Sequence, residues 1–542
     1  MRGATAMGWG TATRIGVGWV CVSLVGVLFV TAPSEPPPGG DVTQAPPRAT
    51  PPYPTEPGYR SADTTMNSLG AALADIDGDG FKDLVVANGN DLNQRPVTVY
   101  RNDGRGNFPN EPSWSSDDTD YHAGVAVGDI DLDGFVDVAV TVGPWIDAKT
   151  LGYTKVYFNR GGALERRPSF RTTDRYSSFG AALGDYDGDG DLDLAVGVAF
   201  ELDTERDTEP KPKPGRVRIY KNEGGKLSRT PAWTSSARMH ALAPKFADID
   251  GDGFLDLLVA ARGLPVYRGA LGEDGEVHLD TSAAWTARVE RGIPLFVDVG
   301  TIGGRRGIVT FYNDHYKDIV PPDDLAPARP PETPPAYVGN LHPSPPPPAS
   351  CASGIGSDSR LMAYWPFTSA DPIWTSETSG WGAGVCLADV NGDDALDLLA
   401  SRWGPQFYGY GAPLVMFLGT SRAFEPTPAW SSSTCGVGEA IAVADLDRSG
   451  YTEAVESFAI EKPQAGLTLS AQLVEEILEI RRDGALLGRG AYVVVPGDNW
   501  ISFARRLAPG EQIRVRYTHS PAPDIALAST MASNYVFYHR AR

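Results

Sequence analysis

One acidic pattern returns along this chain at a nearly constant distance. Its copies are DIDGDGFKDLVVAN from Asp75, DIDLDGFVDVAVT from Asp129, DYDGDGDLDLAVG from Asp185, DIDGDGFLDLLVA from Asp248, DVNGDDALDLLAS from Asp389 and DLDRSGYTEAVES from Asp445. A worn copy, FVDVGTIGGRRGIVTF, surrounds Asp298. The leading aspartates lie 54, 56, 63, 50, 91 and 56 residues apart. Self-similarity at such a period marks a row of supersecondary units, each too small to bury a core alone and each packed on its neighbours.

Every unit reads as four strands. A small-residue strand (GAALAD, GVAVGD, GAALGD, GVCLAD, AIAVAD) leads into the acidic loop, an apolar strand follows, and a third strand ends in an aromatic. Those ends are Tyr100, Phe158, Tyr220, Tyr267, Tyr364, Phe417 and Tyr538. A Pro-x-aromatic piece comes fourth, at Trp114, Phe170, Trp233, Trp285, Trp374 and Trp430. Seven units with six such aromatics leave one missing, and YPTEPGYRSADT from Tyr53 supplies it, because it lines up with FPNEPSWSSDDT from Phe108. The Tyr59 segment is thus expected beside the strand Asn534 to His539. Termini that share a unit imply a ring, and the fold class expected is all-β: a seven-bladed β-propeller closed by its N-terminal strand.

Composition agrees. Gly (61) and Pro (45) are abundant and charged residues are only 21%, which suits short strands and turns and excludes a helical bundle. A net charge of −21 repels phosphate, so a general nucleic-acid binder is excluded and no nucleic-acid partner is expected.

The acid is concentrated in the loops. Asp75, Asp77, Asp79 and Asp83 hold positions one, three, five and nine of the first, with Gly80 at the turn and the Phe81 carbonyl at seven. The second offers Asp129, Asp131, Asp133, Phe135 and Asp137; the third Asp185, Asp187, Asp189, Asp191 and Asp193; the fourth Asp248, Asp250, Asp252, Phe254 and Asp256. Side-chain oxygens and a carbonyl that converge on one point make a cage for a hard cation such as Ca²⁺. Two loops are weaker: Asp389, Asn391, Asp393, Ala395 and Asp397, where Asp394 replaces the turn glycine, and Asp445, Asp447, Ser449, Tyr451 and Glu453. The fifth keeps only Asp298 and is expected to be metal-free. Four to six structural calcium ions are expected in all. These are not EF-hands, since position twelve is a strand hydrophobe such as Val86 or Val140.

SFGAALGDYDGDGDLDLAVG, from Ser178, resembles the central motif of the FG-GAP or VCBS repeat family, which includes the propeller of integrin α subunits and many exported bacterial proteins. The resemblance implies calcium sites that stiffen blades, and a role in adhesion or ligand binding at the cell surface. Such a fold leaves the activity open.

The remaining segments complete the expected organisation. Arg2 and Arg14 bracket the approach to an apolar run from Ile15 to Val30, which reads as a signal peptide or an uncleaved anchor over 1–32. Ten prolines between 33 and 57 make residues 33–52 a solvated linker. The propeller then spans 53–459, with a Pro-rich loop at 313–359, a β-rich insertion at 460–533 and the closing strand at 534–542. Cys351, Cys386 and Cys435 allow one disulfide of undetermined pairing. The chain is expected to be secreted, periplasmic or displayed on a cell, with membrane contact only through the anchor.

Long connections gather on the face opposite the acidic loops, which is where repeat proteins bind. Ligand-contact candidates there are Tyr121, Tyr176, Arg238, Arg291 and Trp381 near the axis, and Trp145, Trp403, Phe407 and Tyr408 on the loops. Aromatics mixed with arginine suit a polysaccharide or a protein partner. The leading expectation is a binding module without catalysis. The alternative is a carbohydrate-active enzyme, a lyase or dehydratase type, using His122 and His240 as acid or base.

Overall fold

The computed structural model describes residues 51–539 except 91, 144–150, 204–210, 289–291, 314–358, 404–411 and 531. The expected leader, most of the linker, almost all of the Pro-rich loop, Trp145, Arg291, Phe407, Tyr408 and Cys351 lie outside the described residues. Among the described residues there is no helix, and the strands form small antiparallel sheets.

Seven sheets correspond to the seven sequence units. The first runs Ser68–Ala74, Asp83–Asn88, Thr98–Tyr100, Trp114–Ser115, and the second His122–Gly128, Asp137–Val142, Lys155–Tyr157, Phe170–Arg171. The third has Ser177–Gly184, Asp193–Asp203, Val217–Tyr220 and Trp233–Thr234. The fourth is shorter, Pro244–Ala247, Asp256–Val259 and Val266–Tyr267, with Trp285 bridged to Val266. Ile293–Ile302, Arg305–Asn313, Arg360–Tyr364 and Trp374–Ser379 make the fifth. The sixth is Trp381–Ala388, Asp397–Trp403, Val415–Phe417 and Trp430–Ser431. The seventh joins Val437–Ala444, Asp524–Thr530 and Tyr535–Phe537 to the early strand Tyr59–Arg60, with Tyr59 opposite Val536.

First strands crowd one another, which is why they are built from Gly and Ala. A Cβ on Gly124 would stand 2.7 Å from Gly180 Cα, and one on Gly180 would stand 2.8 Å from Ala243 Cα. One apolar cluster takes a residue from each of the seven first-strand segments: Leu69, Ala123, Phe179, Leu242, Leu295, Ala383 and Val437. All sit within two residues of the start of their strands, away from the acidic loops.

Aromatic pairs fasten the joins between sheets. Trp114 meets Tyr157 edge-on, and Trp233 meets Tyr267, Trp285 Tyr364, Trp374 Phe417, Trp430 Phe537 and Tyr59 Tyr100. Phe170 and Tyr220 share a cluster at the remaining join. Trp114, Trp233, Trp285 and Trp430 each donate Nε1–H to a carbonyl beyond their own sheet. The register corrects two third-strand ends. Tyr157 (opposite Val138) and Phe537 (opposite Ile525) take the place that Tyr100 takes opposite Leu84, so Phe158 and Tyr538 fall one residue beyond it.

Two expectations about the later units are overturned. Asp298 is not at the head of a loop but inside the strand Ile293–Ile302, whose partner follows directly after Gly303 and Gly304. The last unit is cut elsewhere than expected. Ala444 pairs with Asp524, so Asp524–Thr530 is its second strand, and Thr452–Ala459 instead pairs with Gln512–His519. The insertion therefore lies within the acidic loop, between Gly450 and Asp524, and not at 460–533. DIALAST carries the apolar pattern of DLAVGV, a signal that TEAVES masked by its position beside the acidic run.

This insertion holds two sheets around its own core of Leu467, Ile480, Ile501, Phe503, Val515 and Tyr517. It lies on the acidic-loop end. Ala465 donates its N–H to Gly253 O at 2.9 Å, Lys462 Nζ to Gly251 O at 3.1 Å and Gln472 Nε2 to Val299 O at 2.9 Å. Val493 and Trp500 enter the cores of the third and fourth sheets, and Asp498 Oδ2 is 3.3 Å from Lys245 Nζ. Lys245 also stands 3.9 Å from the Asp298 carboxylate, which accepts the Leu387 N–H.

Candidate metal centres

Each acidic loop joins the first strand of its sheet to the second, and the backbone dictates where its carboxylates point. In the first loop Asp75 accepts N–H bonds from Gly78 (2.8 Å) and Gly80 (2.9 Å). Asp83 accepts from Ile76 (3.1 Å) and from Asn102 (2.9 Å), which lies just past the third strand. Positions four and six need φ > 0: Gly78 is at +79° and Gly80 at +94°. Glycine adopts this without a Cβ clash, whereas Leu132 (+61°) does so in the second loop as an L-residue.

The same frame recurs. Asp137 accepts from Ile130 and Asn159, Asp193 from Tyr186 and Asn222, Asp256 from Ile249 and Gly269, and Asp397 from Val390 and Gly419. Positions one, three and nine come together in four loops: Asp75, Asp77 and Asp83; Asp129, Asp131 and Asp137; Asp185, Asp187 and Asp193; Asp248, Asp250 and Asp256. In each triad, one oxygen per residue lies within 4.8 Å of the others. The position-five residues Asp79, Asp133, Asp189 and Asp252 stand outside this group and turn back to accept the position-seven N–H.

Crowding and burial disfavour the charged forms. Burial first, and neighbouring carboxylates next, push Asp83 and Asp256 up to about 7 and about 8. Burial likewise raises Asp137 to about 7, and with its neighbours Asp185 to about 7; Asp193 is held well above the usual carboxylate range. Buried oxygens of Asp129, Asp131 and Asp187 have no hydrogen-bond partner. Hard oxygen donors that converge, repel one another and keep unfilled lone pairs fit a divalent cation, so these triads can hold metal ions.

Two features of the centres escaped sequence reasoning. A basic side chain stands over each triad: Arg101 3.4 Å from Asp77, Arg160 on Asp131, Lys221 2.6 Å from Asp187 and Arg268 2.5 Å from Asp250. Asparagines also bind adjacent units together, since Asn102 Nδ2 donates to Leu446 O, Asn159 Nδ2 to Ile76 O and Asn222 Nδ2 to Ile130 O. The signal was present in YRN, FNR and YKN after the third strands.

The weaker loops diverge. In the sixth, Asp389 accepts from Gly392 and Asp394, and Asn391 Nδ2 donates to Asp393. In the seventh, Glu453 is not a ligand: it lies on the insertion, and its exposed carboxylate pairs with Arg516 at 3.2 Å. Tyr451 donates its hydroxyl to Glu475 (3.4 Å), and Asp524 occupies position nine.

Several ligand-contact candidates prove to be interior. Tyr176 is fully buried, its hydroxyl 2.9 Å from Tyr220 OH, and Trp403 belongs to the apolar cluster of the first strands. His122 is sealed, donating Nδ1–H to Arg95 O at 2.8 Å, and burial lowers it to about 4, so it is a neutral core histidine. The His240 ring packs tilted against Phe200, centroids 4.5 Å apart. Arg238 is engaged by Glu201 and by Pro214 O. Tyr121 and Trp381 are half-buried, Trp381 against the same first-strand cluster. Cys386 is a free thiol and Cys435 is disulfide-bonded.

Comparison with known proteins follows the same units. The FG-GAP-like repeat family matches residues 61–140, 146–196 and 212–259, and the FG-GAP repeat matches 179–220. The sequence matches none of the curated proteins. Among solved structures the chain is similar to BBS1N, crystallised in complex with ARL6DN: 10% identity and a TM-score of 0.40, over 72% of this chain and 88% of that one.

Proposed function

With residues 61–259 being FG-GAP repeats, we propose that this protein is an exported, calcium-stiffened propeller of seven blades that binds an extracellular polysaccharide or protein. Support for the ring comes from the aromatic pair or cluster at every join, from the strand Tyr59–Arg60 in the last sheet and from the axial cluster fed by seven first strands. Calcium is the cation favoured by all-oxygen donors in flexible loops. Asp75, Asp77 and Asp83 and their three counterparts would hold it, the Phe81, Phe135, Asp191 and Phe254 carbonyls being further donors. When bound it supplies positive charge that lets the triads ionise. The chain's own part is to aim the carboxylates through backbone N–H bonds.

The observation that carries the binding reading is the position of the insertion. It covers the acidic-loop end, at Gly251, Gly253 and Val299, and leaves the opposite end with the long connections for a partner. Among the described residues, Tyr121 and Trp381 are the contact candidates that remain there. Among the described residues no helix is long and apolar enough to cross a membrane.

The test is retention of the full chain, in calcium, on a panel of polysaccharides and on cell-surface protein extracts. Tyr121→Ala and Trp381→Ala should weaken retention at least about tenfold, a loss of about 1.4 kcal/mol. Retention that survives both but is lost on charge reversal of the insertion, at Arg514 and Arg516, would place the ligand at the other end and sink this reading.

A further inference from the structure

The two ends of the sheets treat their cations differently. On the acidic-loop end Arg101, Arg160, Lys221 and Arg268 all meet carboxylates. First and third strands run toward that end and second strands run away from it. The start of a first or third strand and the close of a second therefore mark the opposite end. Five arginines stand at such places: Arg95 shortly before Thr98–Tyr100, Arg175 before Ser177–Gly184, Arg216 before Val217–Tyr220, Arg360 opening Arg360–Tyr364 and Arg402 near the close of Asp397–Trp403. Their partners are neutral. Arg95 Nη2 donates to Thr65 Oγ1 at 2.8 Å, Arg175 to Leu151 O, and Arg216 Nη1 to Ser235 O (2.7 Å) and Ser236 O (2.8 Å). Arg360 Nη1 donates to Glu377 O and Arg402 Nη1 to Ser379 O at 3.4 Å.

Among the described residues none of these five arginines forms an ion pair. The carboxylates of this end are taken by other cations, Asp118 and Asp120 by Lys155 and Glu201 by Arg218 and Arg238. The Glu377 and Ser379 carbonyls belong to one strand, Trp374–Ser379, so Arg360 and Arg402 share the join between the fifth and sixth sheets, next to Trp381. Buried Nε–H groups of Arg95 and Arg402 have no partner, and burial alone lowers the half-buried Arg402 guanidinium from its usual value. A cation drawn partly out of water, with an unused N–H and no carboxylate in reach, calls for an anion.

We infer that the end opposite the acidic loops binds an acidic polysaccharide, whose carboxylate or sulfate groups are taken by these five arginines and whose sugar rings meet Trp381. The planar guanidinium fork matches both groups bidentately, which a lysine ammonium cannot do. Spread over units one, two, three, five and six, the arginines suit an extended polymer rather than one small anion. Duplex nucleic acid, with a charge every 1.7 Å or so, would meet the chain's −21 far more strongly than a polymer with one or two charges per disaccharide. This inference rests on the reading of the open end as the binding end, and adds the charge of the ligand.

The test measures retention of the full chain, in calcium, on immobilised chondroitin sulfate, on its desulfated, carboxyl-esterified and doubly treated derivatives, and on duplex DNA. The parent should be held by chondroitin sulfate, at least about tenfold less by the doubly treated polymer, and less as salt rises. The two single derivatives tell sulfate from carboxylate. Arg360→Gln with Arg402→Gln should weaken retention at least about tenfold. Arg175→Gln, at an exposed side chain, should weaken it too, and serves if the double variant folds poorly. Arg505→Gln, on the insertion, should change nothing. Retention unchanged in all the arginine variants overturns the inference. Equal retention on charged and doubly treated polymer, lost in Trp381→Ala, overturns the anionic ligand and leaves the open-end reading standing. Equal or tighter binding of DNA overturns the polysaccharide class. Capture by cell-surface protein alone, through Tyr121 and Trp381, overturns this inference and not that reading; no retention anywhere overturns both.

Discussion

Units one and five solve the same problem in opposite ways. Both must carry the chain from the first strand of a sheet to the second. Unit one uses an eight-residue excursion between Ala74 and Asp83, held by carboxylates that burial and mutual repulsion make costly to ionise. In unit five the hairpin runs on to Ile302 and Arg305 and turns at Gly303 and Gly304, with no acidic loop. The comparison teaches that the sheet frame does not require a cation. A unit that keeps the long loop gathers carboxylates that could hold an ion; a unit that closes directly does not.

Chelation should break this comparison most visibly. If each of four triads is occupied at about 100 Kd, each contributes about 2.7 kcal/mol, so calcium removal should destabilise the chain by about 11 kcal/mol. Hydrogen exchange should then rise across Asp75–Asp83 and its counterparts while the hairpin Ile302–Arg305 stays protected. Equal loss in both would refute the contrast.

Lys245→Met comes next. It leaves Asp298 buried beside Asp498 without its cation, and should cost about 3 kcal/mol in denaturant melts with or without calcium. An effect that appeared only in calcium would tie this pair to the metal loops instead. Trp233→Leu removes an edge-on contact with Tyr267 and the Nε1–H bond to Leu279 O, at an expected cost of about 2 kcal/mol, again independent of calcium.

The smallest effect is a pH trend. Carboxyls raised in the folded state contribute stability that is complete below their unfolded value near 4 and is lost as pH climbs through the folded values. For Asp83, Asp137 and Asp256 those are about 7, 7 and 8. The calcium-free protein should therefore melt at progressively lower temperature from pH 5 to 8. Calcium affinity should rise over the same window as protons leave, so the gap between loaded and chelated melts should widen with pH. A constant gap would mean that the triads are not where calcium binds.

Much of this was legible in residue spacing. Repetition fixed the strands, and the Tyr59 alignment foretold its pairing with the strand Tyr535–Phe537, because unit-to-unit identity survives burial and turn geometry. The insertion point was not legible, since Thr452–Ala459 alternates like any strand and only hydrogen bonding tells which sheet it joins. Asp298 misled for a related reason: a lone carboxylate has no spacing to check against. Nor could composition separate surface aromatics from buried ones. Tyr176 and Trp403 are large and amphipathic, and their burial depends on neighbours contributed by other sheets.

The seventh sheet draws strands from four separate stretches, 59–60, 437–444, 524–530 and 535–537. Its assembly is therefore the slowest kind of contact to make, spanning nearly the whole described sequence. A nascent chain that has not yet reached Asp524 has six sheets, an unpaired Tyr59 strand and an open flank on Val437–Ala444. Until synthesis passes that point, the exposed strand edges must be kept from pairing with other chains.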